Sequence, residues 1–111
     1  MQQALKYECL SEAEFGRRVE KSQKPVLLEF GEEWSGHCQI MAPILQYLMA
    51  AFRGKIEFIR LEYSRHQKLA RRFGIFTIPT YLFWKDGEVA GQVAGSVSRM
   101  EMEAKIRKWT T

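Results

Sequence analysis

Apolar and polar positions recur along the chain with two different periods, and the switches between them mark out the elements. Residues 4–9, "ALKYEC", read as a short first strand. Ser11 is followed three residues later by Glu14, a capping-box spacing that opens a helix running to about residue 22. After Pro25, "VLLEF" (26–30) is a nearly continuous apolar run, as expected of a strand covered on both faces. "GEEWSG" is the loop that follows. A helix is predicted from about Ser35 to Phe52, with Ile40, Ile44, Leu45 and Leu48 at helical spacing and Pro43 as a kink. In "KIEFIRLEY" (55–63), Ile56 and Phe58 fall on one face of a strand, Ile59 and Leu61 on the other. "HQKLARRFG" gives a short helix that stops at Gly74. "TYLFWKDGEVAGQVAG" is two strand-like runs around Asp86-Gly87, a hairpin turn. Ser98 and Glu101 form a second capping box, opening a last helix to about Trp109.

The resulting order, β-α-β-α-β-α-β-β-α, demands parallel crossovers up to the hairpin and an antiparallel pair within it. It predicts an α/β fold: a mixed central β-sheet with helices on both faces. Sites in such sheets gather at the carboxyl ends of strands, and residues 31–38 lie just past one.

The bulk numbers narrow this further. A chain of 111 residues, 46% apolar and 27% charged, is read as a single domain over 1–111, and a monomer is favoured. Its two cysteines, Cys9 and Cys38, cannot form a disulfide framework, which favours a reducing compartment. The N-terminal "MQQALKYECLSEAEF" lacks a long apolar run, so neither a signal peptide nor a membrane span is read there, and a cytoplasmic location is expected. Much of the net charge of +4 lies in "SRHQKLARRF" and "KIRKW". These are read as solvated helix faces. No aromatic platform is interleaved with the charges, so nucleic acid is disfavoured as a partner.

The chemistry concentrates in "WSGHCQIMAPI" (34–44), which has one Cys, a Ser three residues before it and a Pro five residues after. Together with "VLLEFGEEWSGHC" and "FGIFTIPTYLFWKDGEV", this stretch resembles the thioredoxin family over nearly the whole chain. The family pattern is an apolar strand with a buried acid, then Trp-Cys-Gly-Pro-Cys at a helix start, a Pro later in that helix, and Thr-Ile-Pro-Thr before an antiparallel hairpin. The resemblance implies the thioredoxin fold and a thiol–disulfide role in cell redox balance. In the family, helix N–H groups and the helix dipole stabilise the first thiolate, which attacks a disulfide, and the second Cys resolves the product. Here Ser35 stands at the attacking position and Cys38 at the resolving one. A hydroxyl cannot form a disulfide, so dithiol cycling within this motif is excluded.

The remaining residues have two readings each. Cys38 is a reactive thiol or a small buried hydrophobe. Ser35 is a plain helix cap, or it hydrogen-bonds Cys38 or a bound peptide. By the resemblance, Glu29 stands where the family buries an Asp that takes the resolving thiol's proton. It is otherwise a solvent-facing residue or a partner of Arg60. Burial would hold its proton to higher pH, as such an acceptor needs. Pro79 resembles the family's cis proline, exposing the Ile78 backbone to an extended peptide. Trp34, Gly36, His37 and Gly95 would complete that groove, although Trp34 could instead pack in the core. His37 and Cys38 are too few for a closed metal site, and no cofactor is expected. Cys9 is expected in the core, unbonded to Cys38. Two functions follow. One is a one-thiol enzyme acting through Cys38, Ser35 and Glu29, forming mixed disulfides with a protein or an external thiol such as glutathione. The other is a redox-inactive peptide-binding, chaperone-like or adaptor module using the same groove.

Overall fold

The computed structural model describes residues 5–111. Among these, five strands form one sheet: β1 (Tyr7–Glu8), β2 (Val26–Gly31), β3 (Glu57–Glu62), β4 (Thr80–Lys85) and β5 (Glu88–Ala94), in the order β1-β3-β2-β4-β5. β3 pairs parallel with β1 and β2, whereas β4 runs antiparallel to β2 and β5. Helix α1 (Glu12–Phe15) continues into a π-helical turn (Gly16–Glu20), and α2 (Gly36–Ala51), α3 (Gln67–Arg72) and α4 (Arg99–Thr110) complete the mixed α/β order read from the sequence. Residue 4, part of the expected first strand, lies outside the described residues.

The two-faced strands divide the core as their periodicity requires. Val26, Leu28 and Phe30 of β2, with Ile59 and Leu61 of β3, pack on the α1/α3 side. Leu27, Ile56 and Phe58 pack on the other side, with Met41, Leu45 and Leu48 of α2 and Met102 and Ile106 of α4. The stripe of α2 is therefore Cys38, Met41, Leu45 and Leu48. Ile40, expected on it, is 59% exposed, because one residue of a helix turns about 100° and carries it off the buried line. The helix runs on across Pro43 without a break.

Caps and turns act where the spacing placed them, with one difference. Ser11 accepts from the Glu14 N–H at 3.1 Å, and the Glu14 carboxylate accepts from the Ser11 N–H at 2.9 Å, a complete box. That backbone contact holds the Glu14 carboxyl below its usual range. Ser98 caps the Glu101 N–H at 3.1 Å, but the returning Glu101 contact is absent, so the second box is only half formed. Asp86 and Gly87 both take positive φ (53° and 80°), the left-handed pair a two-residue hairpin demands. The basic helix faces are exposed and partly paired, as Arg72 with Glu20 and Arg107 with Glu103 show. No helix among the described residues is long and apolar enough to cross a membrane.

One packing contact closes the α4 side. Trp109 stacks on Phe83 at 5.0 Å between ring centroids, and Gly91, the β5 partner of Phe83, leaves room for the indole. A methyl on Gly91 would collide with Trp109. Gly91→Ala is expected to cost about 1–3 kcal/mol of folding stability through overpacking, read from the urea unfolding midpoint.

Candidate functional site

The loop between β2 and α2 is fixed before the helix begins. Glu32 is buried, and its carboxylate accepts from the Ser64 N–H at 2.5 Å, while its carbonyl accepts from the Ser35 N–H at 3.1 Å. Ser35 is then the N-cap of α2: its backbone is extended and its hydroxyl accepts from the Cys38 N–H at 3.4 Å. The N-cap reading of Ser35 is the one seen, and the N–H it caps is that of Cys38. Cys38 itself lies one turn in, 1% exposed.

Beneath Cys38 runs a row of polar side chains on the sheet face that carries α2. Strand register aligns Tyr7 with Arg60, Arg60 with Glu29, and Glu29 with Tyr81, one residue from each of β1, β3, β2 and β4. Glu29 is buried and paired with Arg60, so of the readings made for it the solvent-facing one does not hold. Arg60 Nε donates to Glu29 Oε1 at 2.8 Å and its Nη2 to Oε2 at 3.3 Å. The same Nη2 reaches Tyr7 Oη at 2.6 Å and the Cys38 carbonyl at 3.1 Å, tying the row to the first turn of α2. Tyr81 Oη donates to Glu29 Oε2 at 2.5 Å. Burial works against the Arg60 charge, but the hydrogen bond and charge of Glu29 outweigh it and raise the Arg60 pKa.

At Gly31 the crowding becomes visible. A Cβ there would lie 2.6 Å from Tyr7 Oη, 2.7 Å from Glu29 Oε1 and 2.9 Å from Cys38 Sγ. Phenol, carboxylate and sulfur thus share one pocket the size of a methyl group. Burial first, then the Glu29 charge and hydrogen bonds to Glu29 and Cys38, push the Tyr7 hydroxyl above its ordinary range, with Arg60 opposing. Burial and Glu29 do the same to Tyr81. A surface cavity of about 530 Å³ opens onto this group from the β1 side, lined in part by Tyr7, Glu32, Cys38, Gln39 and Arg60.

The expected groove residues form a second group. The Ile78–Pro79 peptide is cis, and Gly95, at φ 84°, donates its N–H to the Pro79 carbonyl at 2.7 Å. His37 Nδ1 lies 3.2 Å from Ser96 Oγ, which joins the start of α2 to the segment after β5. Ile78 is half-buried and Pro79 buried. Trp34 is 75% exposed, so it belongs to the surface and not to the core. Gly36 is exposed, with nothing within 4 Å of an added Cβ. Cys9 is exposed and free, against the expected core position, because the inward-facing residue there is Leu10. Among the described residues no three potential metal ligands cluster.

Sequence reading missed Tyr7, Tyr81, Phe76 and Ser96. Phe76 is 73% exposed, two residues before Ile78. The signal for the tyrosines was Glu29 itself: a carboxylate inside an apolar strand needs donors from the strands beside it.

The sequence profile of the Thioredoxin family matches residues 6–108. The chain is 33% identical to Thioredoxin M4, chloroplastic, of Arabidopsis thaliana over 106 residues, 96% of this chain and 55% of that protein. It is 30% identical to a thioredoxin of Pseudomonas aeruginosa over 95 residues, 86% of this chain and 88% of that one. It is 29% identical to a thioredoxin of Synechocystis sp. over 100 residues, 90% of this chain and 94% of that one. The chain thus spans little more than half the length of the Arabidopsis relative.

Two outcomes test the buried row. Arg60→Met should cost about 3–5 kcal/mol in urea unfolding, because it strands the Glu29 charge. Unfolded tyrosine ionises near pH 10 or so, while folded Tyr7 and Tyr81 hold their protons beyond that. The unfolded state then binds fewer protons, so stability falls as pH rises past this point. Ultraviolet titration should show two of the four tyrosines ionising only with unfolding.

Proposed function

The chain belongs to the thioredoxin family, and on that premise we propose that it works in thiol–disulfide chemistry as a one-sulfur variant. Cys38 is the reacting sulfur, Ser35 holds the helix start in place of an attacking thiol, and Glu29 accepts the proton that the Cys38 thiol gives up. The single observation that carries this reading is the Ser35 hydroxyl at the α2 N-cap, bonded to the Cys38 N–H where a second sulfur would otherwise stand. Cys38 as thiolate attacks a disulfide; its S–S bond breaks, one half leaves as a thiolate, and the other remains in a mixed disulfide with Cys38. An external thiol such as glutathione attacks that mixed disulfide and frees Cys38.

The substrate is a protein or peptide in extended conformation, lying against the Ile78 backbone beside Pro79 and Gly95, with Trp34, Gly36 and His37 on the α2 side. A reducing, cytoplasmic setting suits two cysteines that are both free, and the chain acts as a single domain and a monomer. A binding-only module using the same groove is the second reading, and the near-complete burial of Cys38 is the observation that favours it.

Insulin reduction by dithiothreitol, followed as turbidity, tests the missing sulfur. The chain should accelerate it weakly or not at all, and Ser35→Cys should gain activity. Equal rates in the two proteins would overturn the one-sulfur reading.

A further inference from the structure

The Tyr7 hydroxyl has one proton and two neighbours able to accept it. Its oxygen already accepts from Arg60 Nη2 at 2.6 Å, so the guanidinium fixes where the oxygen sits. Arg60 Cζ also lies 4.1 Å from the Tyr7 ring centroid, so the ring is held as well as the hydroxyl. That oxygen, Glu29 Oε1 and Cys38 Sγ all lie within 2.9 Å of the one point a Gly31 Cβ would occupy, so the carboxylate and the sulfur are the two acceptors grouped around the hydroxyl. Glu29 keeps other donors, Arg60 and Tyr81, whichever way the Tyr7 proton points. Among the described residues, the side-chain hydrogen bonds at Cys38, from its N–H to Ser35 and from Arg60 to its carbonyl, involve the backbone and not Sγ.

We propose that Tyr7 is the positioning residue of the Cys38 sulfur: its O–H bonds Glu29 while Cys38 is a thiol and turns to Sγ when Cys38 becomes a thiolate. This rests on the one-sulfur reading and adds a residue that the family resemblance does not supply. In the thiol state the Cys38 S–H donates to Tyr7 Oη. On ionisation the S–H bond breaks and its proton passes by way of the Glu29 carboxylate to solvent on the β1 side. The Tyr7 O–H bond stays intact and only its acceptor changes. Tyr7 remains neutral throughout, in keeping with a hydroxyl that holds its proton well above the ordinary tyrosine range. A hydrogen bond to a charged acceptor is worth roughly a tenfold shift in ionisation.

The test uses the full chain in a Cys9→Ser background, since Cys9 is exposed and would be alkylated as well. The pH–rate profile of iodoacetamide alkylation is measured with Tyr7 and with Tyr7→Phe, which keeps the ring over Arg60. Alkylation forms an S–C bond and expels iodide. With Phe at position 7, the rate at neutral pH should fall about tenfold and the profile should move to higher pH, whereas the rate on its alkaline plateau is retained. A purely steric role would change the plateau and leave the position of the profile alone. A profile unmoved by Tyr7→Phe overturns the Tyr7 assignment while leaving the one-sulfur reading in place. If the protein with Tyr7 is alkylated only as fast as it unfolds, the one-sulfur reading fails and takes the assignment with it. Should Tyr7→Phe not fold, carbon NMR of labelled tyrosine decides. The Tyr7 ring carbon bearing the hydroxyl should titrate together with Cys38 alkylation and lose that transition in Cys38→Ala. A resonance that does not follow Cys38 would sink the assignment.

Discussion

The ion pair between Glu29 and Arg60 is the constraint around which the centre of the sheet is arranged. Both charges are buried, and neither would be tolerated there alone. Each therefore has to be matched from a neighbouring strand. Parallel register sets Glu29 against Arg60, and antiparallel register sets it against Tyr81. A slip of one residue in either pairing would turn the partner to the opposite face of the sheet and leave a charge with nothing to bind. Apolar packing favours the correct register on both faces, and the polar row penalises the wrong one.

The same row reaches the first turn of α2. Arg60 holds the Cys38 carbonyl, so the first turn of α2 is seated on the sheet by a charged hydrogen bond as well as by the Met41 and Leu45 contacts below it. Ser35 and Glu32 fix that turn from the loop side. The start of α2 is held at the junction of these restraints, which come from different parts of the chain. Ser96 meets His37 from the segment after β5, and Tyr7 reaches the same turn through Arg60 from β1.

Much of this could be read without coordinates, and what could not has physical reasons. The two faces of "KIEFIRLEY" separate as their alternation requires, and Asp86-Gly87 turns where left-handed conformations are cheapest. Ser35 and Cys38 sit as a motif of fixed spacing places them. The misses concern contacts set by strand register, which a single sequence does not encode locally. Tyr7 and Tyr81 are far apart in the chain, and each is an unremarkable strand residue until Glu29 is placed between their strands. Ile40 and Cys9 mark a second limit. Both are apolar enough for a core, and only the exact rotation of α2 and the path out of β1 turn them outward.

Gly31 carries the last consequence. Because phenol, carboxylate and sulfur all converge on the position its side chain would fill, only a residue without a side chain fits at 31. The three groups border one space, so lengthening or shortening one changes the room left to the others. Positions 7, 29, 31 and 38 are expected to evolve as a set: a relative that changes its acid at position 29 should adjust the residue facing it from the first strand too.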